Sequence, residues 1–371
     1  MSKPSICFML ILLLLLAADV SSALEPELIF QRSLEQMSVS GGIPDGRLIL
    51  SSPDGFKILT SDGKELYRAG LTPNQGLVAS EDGGFFGIAT YSASTSSDFL
   101  RAQSFALFSA EGNKLWEVKN ARLSDFYVSN QANLVVGVSV GEGSPASKLV
   151  FYNHAGDSIF SRKVGLLQEV SFSSDGKCVF VNSTKDGLLA FDDSGALKAN
   201  FGPCERFAAS PDGEYVATSS AGNLTIYHQG KPTGKPLSVS LFVREMRFSP
   251  ENEYLIVIDK KNLSLFEVQT RKVLWQYSLD RPELSFVSVD LSSNARKIIA
   301  GVDLDRGRTL PAEERHTTGL VYVFDQDGKL IWSKELSYRL WGTAFPKVHF
   351  SSDGTKFSVV TREAIYFFKS D

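Results

Sequence analysis

SPDGEYVAT, Ser210–Thr218, reads as the end of one strand, a tight turn and the start of a second strand. Pro211 fixes φ, Asp212 can bond back to its own backbone and Gly213 accepts the left-handed conformation, so the chain reverses sharply. Nearly the same phrase recurs as SSDGKCVFV at Ser173–Val181 and SSDGTKFSV at Ser351–Val359. Looser copies are SPENEYLIV from Ser249, SEDGGFFGIAT from Ser80, SNQANLVVGV from Ser129, LSSNARKIIAGV from Leu291 and IPDGRLIL from Ile43. About eight copies at intervals of roughly 40 to 60 residues make this a repeat protein.

A second phrase follows each copy: a strand, a Gly-containing turn, and a strand with a large aromatic four residues past the Gly. Gly112 to Trp116 and Gly328 to Trp332 show it best, and Gly63 to Tyr67 and Gly156 to Phe160 keep it with other rings. Arg271 to Trp275 keeps the Trp without the Gly, whereas Gly195 to Ala199 and Gly234 to Ser238 lack the aromatic. Each unit thus holds four short antiparallel strands, A to D, in roughly 43 residues, the pattern of a propeller blade. One blade cannot cover both its faces, so a ring must. The expected fold is an all-β, eight-bladed propeller, with seven blades as the alternative. Tyr67, Trp116, Phe160, Trp275 and Trp332 are expected to pack between blades.

The last unit, from about Ala344 to Ser370, supplies strands A to C and then ends. Near the other terminus, Glu27-Leu-Ile-Phe-Gln-Arg32 matches Lys329-Leu-Ile-Trp-Ser-Lys334 in pattern. Residues 27–32 are therefore expected to form strand D of the last blade, because an open sheet edge is a liability. The competing expectation is an amphipathic helix over Leu28 to Met37.

The Ser-Pro-Asp-Gly turns resemble WD40-like and TolB-like repeats, and VYVFDQDGKLIWSKE, Val321–Glu335, resembles the repeats of PQQ-like eight-bladed propellers. The likeness covers nearly all of the chain after residue 23 and implies the propeller fold. The Trp-Asp and Gly-His pairs of WD40 blades are missing. Quinone-dependent dehydrogenases of the PQQ class need a vicinal cysteine pair and an acidic calcium site; no adjacent cysteines occur here, so no cofactor is expected.

The 371 residues carry a formal net charge of -4, with 43% hydrophobic and 22% charged residues. That balance offers no global field for nucleic acid or an anionic membrane. Lys3, the apolar run Ile6 to Ala18, and Ser21-Ser22-Ala23 read as an export signal over residues 1–23, with a single propeller domain over 24–371. The run is about 13 residues, short of the ~20 a membrane span needs, although an uncleaved anchor is the alternative. A secreted or periplasmic location follows, with no membrane span after cleavage. Asn182, Asn223 and Asn262 each begin an N-glycosylation triplet.

A–B and C–D turns lie on one face of such a ring, and B–C and D–A connections on the other. The second face carries most of the long connections, Tyr91 to Arg101, Gly141 to Ser147, Asp303 to Thr318 and Leu336 to Thr343, the exception being a C–D loop around Gln229 to Gly234. Function tends to sit on variable loops held by a rigid frame. The longest and most charged, from Asp303 through Asp305, Arg306, Arg308 and Arg315 to His316, could combine with Tyr338, Arg339 and Trp341 as a recognition patch, since Arg, Tyr and Trp are frequent interface anchors. Cys178 and Cys204 fall on opposite faces, and no disulfide is expected. His154, His228, His316 and His349 have no metal-ligand spacing, and Asp325-Gln-Asp327-Gly328 reads as a hairpin turn, so no metal site is expected. No GxSxG, HExxH or phosphate-binding glycine loop occurs. The expected function is a non-catalytic, monomeric scaffold that binds a protein or small ligand on the long-loop face. The alternative is a propeller-class hydrolase, lyase or lactonase, which requires Asp, Glu, His or Arg side chains to converge in the central channel at the long-loop end.

Overall fold

The structure, a computed structural model, describes residues 26–34, 38–41, 47–60, 62–92, 101–140, 146–292, 295–304, 316–339, 345–351, 353–361 and 363–370. Residues 1–23 lie outside that set. Among the described residues there is no α-helix; thirty-three strands form eight antiparallel sheets. β1 (Glu27–Ser33) opens the chain. Blade 1 comprises β2 (Ser38–Gly41), β3 (Leu48–Ser52), β4 (Gly55–Leu59) and β5 (Glu65–Gly70); blade 2, β6 (Gln75–Ala79), β7 (Phe85–Tyr91), β8 (Ala102–Ser109) and β9 (Lys114–Lys119). Blade 3 comprises β10 (Asp125–Val128), β11 (Leu134–Val140), β12 (Ala146–Asn153) and β13 (Ser158–Gly165); blade 4, β14 (Leu167–Phe172), β15 (Cys178–Ser183), β16 (Gly187–Asp192) and β17 (Leu197–Gly202). Blade 5 comprises β18 (Arg206–Ala209), β19 (Tyr215–Ser220), β20 (Asn223–His228) and two short outer pieces, β21 (Lys231–Pro232) and β22 (Leu237–Ser238). Blade 6 comprises β23 (Glu245–Phe248), β24 (Tyr254–Ile258), β25 (Asn262–Glu267) and β26 (Val273–Ser278); blade 7, β27 (Leu284–Leu291), β28 (Lys297–Leu304), β29 (His316–Asp325) and β30 (Leu330–Arg339). Blade 8 comprises β31 (Lys347–Phe350), β32 (Lys356–Val360) and β33 (Ala364–Lys369), completed by β1. The fold is an eight-bladed β-propeller.

The closing pair is antiparallel, with Gln31 opposite Tyr366 and Ser33 opposite Ala364, and it carries a bulge between Leu28 and Phe30. Phe30 lies 5.9 Å from the Phe367 ring, and Leu34 N–H donates to the Glu363 carbonyl at 2.7 Å. Residues 27–33 form a strand rather than a helix, and this strand covers the outer edge of β33.

The A–B turns show why the Ser-x-Asp-Gly phrase repeats. Ser210 Oγ donates to Asp212 Oδ1 at 2.6 Å and accepts from Tyr215 N–H at 2.8 Å, while Glu214 N–H donates to the same Asp212 oxygen. Ser80, Ser173 and Ser351 make equivalent pairs of bonds. In the looser copies the left-handed position is taken by Ala132, Asn252 and Ala295. Each such Ala costs roughly 1–2 kcal/mol of backbone strain.

Packing between blades follows one rule. The aromatic of strand D in one blade lies against the C–D turn glycine of the next. A Cβ on Gly63 would lie 2.5 Å from the Phe30 ring, on Gly156 2.9 Å from Trp116, and on Gly328 2.5 Å from Trp275; Tyr67 faces Gly112 and Phe160 faces Gly195 in the same way. Trp275 Nε1 also donates to the Gln326 carbonyl in that neighbouring turn at 2.8 Å. Trp332 meets Phe357 and Phe368 of blade 8 edge-on.

Blade 5 corrects the reading of Gly234 to Ser238 as a turn phrase. The C–D turn lies at Gln229-Gly230, both with positive φ, so Gly234 occupies the position an aromatic would hold. It faces Arg271, the residue that replaces the turn glycine of blade 6. Two of the three exceptions in the repeat are therefore one junction, where ring and glycine are both lost; at the junction of blades 4 and 5 Ala199 replaces the ring while Gly230 opposite it is kept.

Blade 7 corrects a second expectation. The stretches 303–318 and 336–343 are not loops throughout, because the β29–β30 ladder continues to His316 opposite Arg339. In blade 4, Cys178 opens β15 opposite Asp192, whereas the Cys204 carbonyl accepts from Nδ2 of Asn182, about 13 Å further along that strand; both cysteines are free.

Deletion of residues 24–33 is expected to lower the melting temperature strongly; an unchanged melt would refute closure by β1. Gly156→Ala adds a methyl against Trp116 at φ +84°. It is expected to destabilise by about 2 kcal/mol, read from denaturant midpoints.

Candidate functional site

Each A strand is the innermost of its blade, and these strands surround the central channel. Its wall from blade 2 to blade 7 includes Ala79, Phe126 to Val128, Glu169 to Phe172, Arg206 to Ala209, Glu245 to Phe248 and Asp290, around a cavity of about 780 Å³. Charged side chains do converge there. Arg247 Nε donates to Glu245 Oε1 at 2.8 Å, and its Nη1 reaches Glu81 Oε1 at 3.5 Å from blade 2, across the ring. Burial opposes the charge on Arg247, but Glu245, Asp290 and Glu81 together hold its pKa above the usual range.

Asp290 and His349 complete the cluster. Asp290 Oδ2 accepts from Phe350 N–H at 2.8 Å and its Oδ1 from Leu291 N–H at 3.0 Å, which ties β27 to the closing blade. His349 Nδ1 lies 4.0 Å from Asp290 Oδ2. Burial pushes the Asp290 pKa up to about 6, although Arg247 pulls the other way. Burial, then Arg247 and Lys347, push the His349 pKa down to about 3. An acid with that pKa could exchange protons near neutrality. Here both of its oxygens are engaged by backbone amides, and Arg247 is held between two carboxylates. The geometry is that of a clasp across blades 2, 6, 7 and 8.

A second site lies where blades 5 and 6 meet. The D–A connection between them carries Leu241 and Phe242, which are 62% and 77% exposed, the highest values among the large apolar side chains described. Leu241 rests over the B–C turn of blade 5 at Gly222, and Val239 N–H donates to the Gly222 carbonyl, so both lie on the long-loop face. Beside them a groove of about 430 Å³ is lined by Val239, Val243, Val257, Phe266 and Val273, with Asp259, Asn262 and Gln276 among its polar groups. The outer strand is thin here, because β21 and β22 cover only the two ends of β20.

Of the residues picked from sequence, Asp303 lies on β28, half-buried, opposite Ser285 and Gly319. His316, Tyr338 and Arg339 have backbones in the β29–β30 ladder, with Thr317 opposite Tyr338. Asp305, Arg306, Arg308, Arg315 and Trp341 lie outside the described residues. Leu241 and Phe242 were not picked. Their signal was present: two bulky apolar residues in a connection, next to the break in the Gly-to-aromatic rule. Among the described residues no three His, Cys, Asp or Glu side chains are grouped to hold a metal ion, and no helix is long and apolar enough to cross a membrane.

No family model matches the sequence, and no curated protein matches it significantly. Solved structures do match in fold. The C-terminal WD40 domain of Sif2 is 12% identical, with 93% of this chain and 98% of that one covered at a TM-score of 0.58. KlHsv2 with loop 6CD replaced by a Gly-Ser linker is 13% identical, covering 84% and 99% at 0.51, and a eukaryotic initiation factor is 10% identical, covering 87% and 93% at 0.55. The fold is that of a WD40-like propeller.

The pH response of the clasp follows from the two shifts. Between pH about 3 and 6.5 the unfolded His349 binds a proton that the folded one does not, so stability falls as pH drops through that window. Between pH 3.8 and about 6 the folded Asp290 binds the extra proton, so its contribution runs the opposite way. His349→Asn is expected to flatten the loss of stability between pH 7 and 4.5, and Asp290→Asn to steepen it. Parallel pH profiles of the denaturant midpoint for all three proteins would contradict this.

Proposed function

We propose that this chain is an exported, non-catalytic scaffold that holds a protein partner on its long-loop face, with the blade 5–6 seam as the docking point. The observation that carries the reading is the exposed pair Leu241 and Phe242 beside an apolar groove. Aromatic anchors next to a pocket are typical of interface hot spots, and a propeller supplies the rigid frame behind them. Export rests on the reading of residues 1–23. The engaged Asp290 and Arg247 favour a structural role for the channel cluster over catalysis.

A photo-crosslinking residue at position 242 is expected to capture a partner from the exported fraction, whereas one at Lys329, in a C–D turn on the other face, is not. Leu241→Ser in the crosslinker protein is expected to reduce that capture without changing the melting temperature. Equal capture from both positions would overturn the docking point. N-terminal sequencing of the exported chain tests processing near Ala23, and a chain still beginning at Met1 would refute it.

A further inference from the structure

We infer that the segment docked at the blade 5–6 seam is acidic and carries a bulky apolar side chain beside its carboxylates. The inference rests on the docking reading above and specifies the chemistry of the partner.

The argument is the unequal engagement of the two signs of charge on this part of the long-loop face. Most acids there already have partners, exposed Asp280 being the exception. Asp259 Oδ1 accepts from Lys261 N–H at 2.6 Å and Asn262 N–H at 2.8 Å, and its Oδ2 accepts from Asn262 Nδ2 at 3.0 Å. Glu205 Oε1 accepts from Ala221 N–H at 3.3 Å, at the turn on which Leu241 rests. Glu245 is held by Arg247, and Glu283 by Arg281. Glu169, on the channel wall near Arg206, is pushed by burial toward its neutral form.

The cations are placed differently. Arg206, Arg244 and Lys260 make no ion pair within 4 Å among the described residues, although Arg206 is near enough to Glu169 to favour its charged form. Arg206 and Arg244 line the channel cavity, Arg244 directly following Val243 of the groove. Two are nevertheless fixed in position: Arg244 Nη1 donates to the Phe286 carbonyl at 2.9 Å, and Arg206 Nη1 to the Glu205 carbonyl at 3.3 Å. Arg244 follows Phe242 by two residues, and its N–H donates to the Ile258 carbonyl, two residues before Lys260. Guanidiniums anchored through one nitrogen keep others available for a carboxylate, and Arg suits two-point recognition of that group. The groove floor of Val239, Val243, Phe266 and Val273 suits a side chain of Leu or Phe size. A basic segment would meet three cations outside any close ion pair and acids that, Asp280 apart, are already occupied.

The test uses the full chain and three fluorescent peptides of about 12 residues, each with one central Leu-Phe pair. Their flanks are Glu, Lys or Gly-Ser, and binding is read by anisotropy. The Glu peptide is expected to bind, to weaken with added salt, and to weaken about tenfold or more in Arg206→Glu and Arg244→Glu. Lys260→Glu supplies a third variant should either arginine variant melt early, and Lys329→Glu on the other face is expected to bind as the parent does. Absence of Glu-peptide binding, equal or tighter binding of the Lys or Gly-Ser peptide, or full binding by the arginine variants would overturn the inference. If the Lys or Gly-Ser peptide binds and Phe242→Ser abolishes it, the docking point stands and only the acidic chemistry falls. If the Glu peptide binds equally to Leu241→Ser and Phe242→Ser, the docking point itself falls.

Discussion

A ring leaning on a neighbour's turn glycine is the contact on which this molecule depends. Each blade buries little of its own surface, so stability must come from what one blade offers the next. The strand D aromatic offers a flat apolar face, and the following C–D turn offers the one residue with no Cβ in the way. That turn also requires positive φ, so the same glycine satisfies two demands at once. Five junctions use the contact, from Phe30 against Gly63 to Trp275 against Gly328. Closure extends the rule: Phe30, on a strand from the start of the domain, serves the last blade as Trp116 serves the second.

The exceptions gain meaning from the rule. At the junction of blades 5 and 6 neither member is present, and Gly234 faces Arg271 instead. The Arg271 guanidinium donates to the Lys235 carbonyl at 2.9 Å and so ties down the irregular outer edge of blade 5. The same junction carries the groove and the exposed Leu241 and Phe242. Departure from the packing rule and departure from ordinary burial thus occur together, which is why the seam stands out from seven other junctions as a surface for another molecule.

The central channel presents the opposite case. Its charged residues come from blades far apart in sequence, and the ring brings them within ion-pair distance. Arg247 and Glu81 meet although 166 positions separate them. They neutralise one another and tie the closing blade through Asp290, so concentrated charge here works as a clasp. Exposed charge at the seam lacks that mutual satisfaction, and there the cations remain available.

Much of the architecture was legible in the repeats because turns and strand edges are local. Ser210 and Gly213 carry their hydrogen bonds within six residues, as does Asp212 through Oδ1, although its Oδ2 also accepts from Asn252 of the next blade. The match of Glu27–Arg32 to Lys329–Lys334 marked the closing strand. The Gly-to-aromatic spacing was visible too, but its partner was not: a four-residue spacing within one blade conceals that the contact is made with the next. The position of blade 5's turn at Gly230 within the loop expected around Gln229 to Gly234, the extended ladder from His316 to Arg339, the Arg247 clasp and the exposure of Phe242 were decided by tertiary structure alone. Each depends on which chain segments the ring sets side by side. The sequence by itself determined a closed propeller of repeated turns; only the assembled ring decided which charges cancel, which rings are covered, and which are left facing solvent.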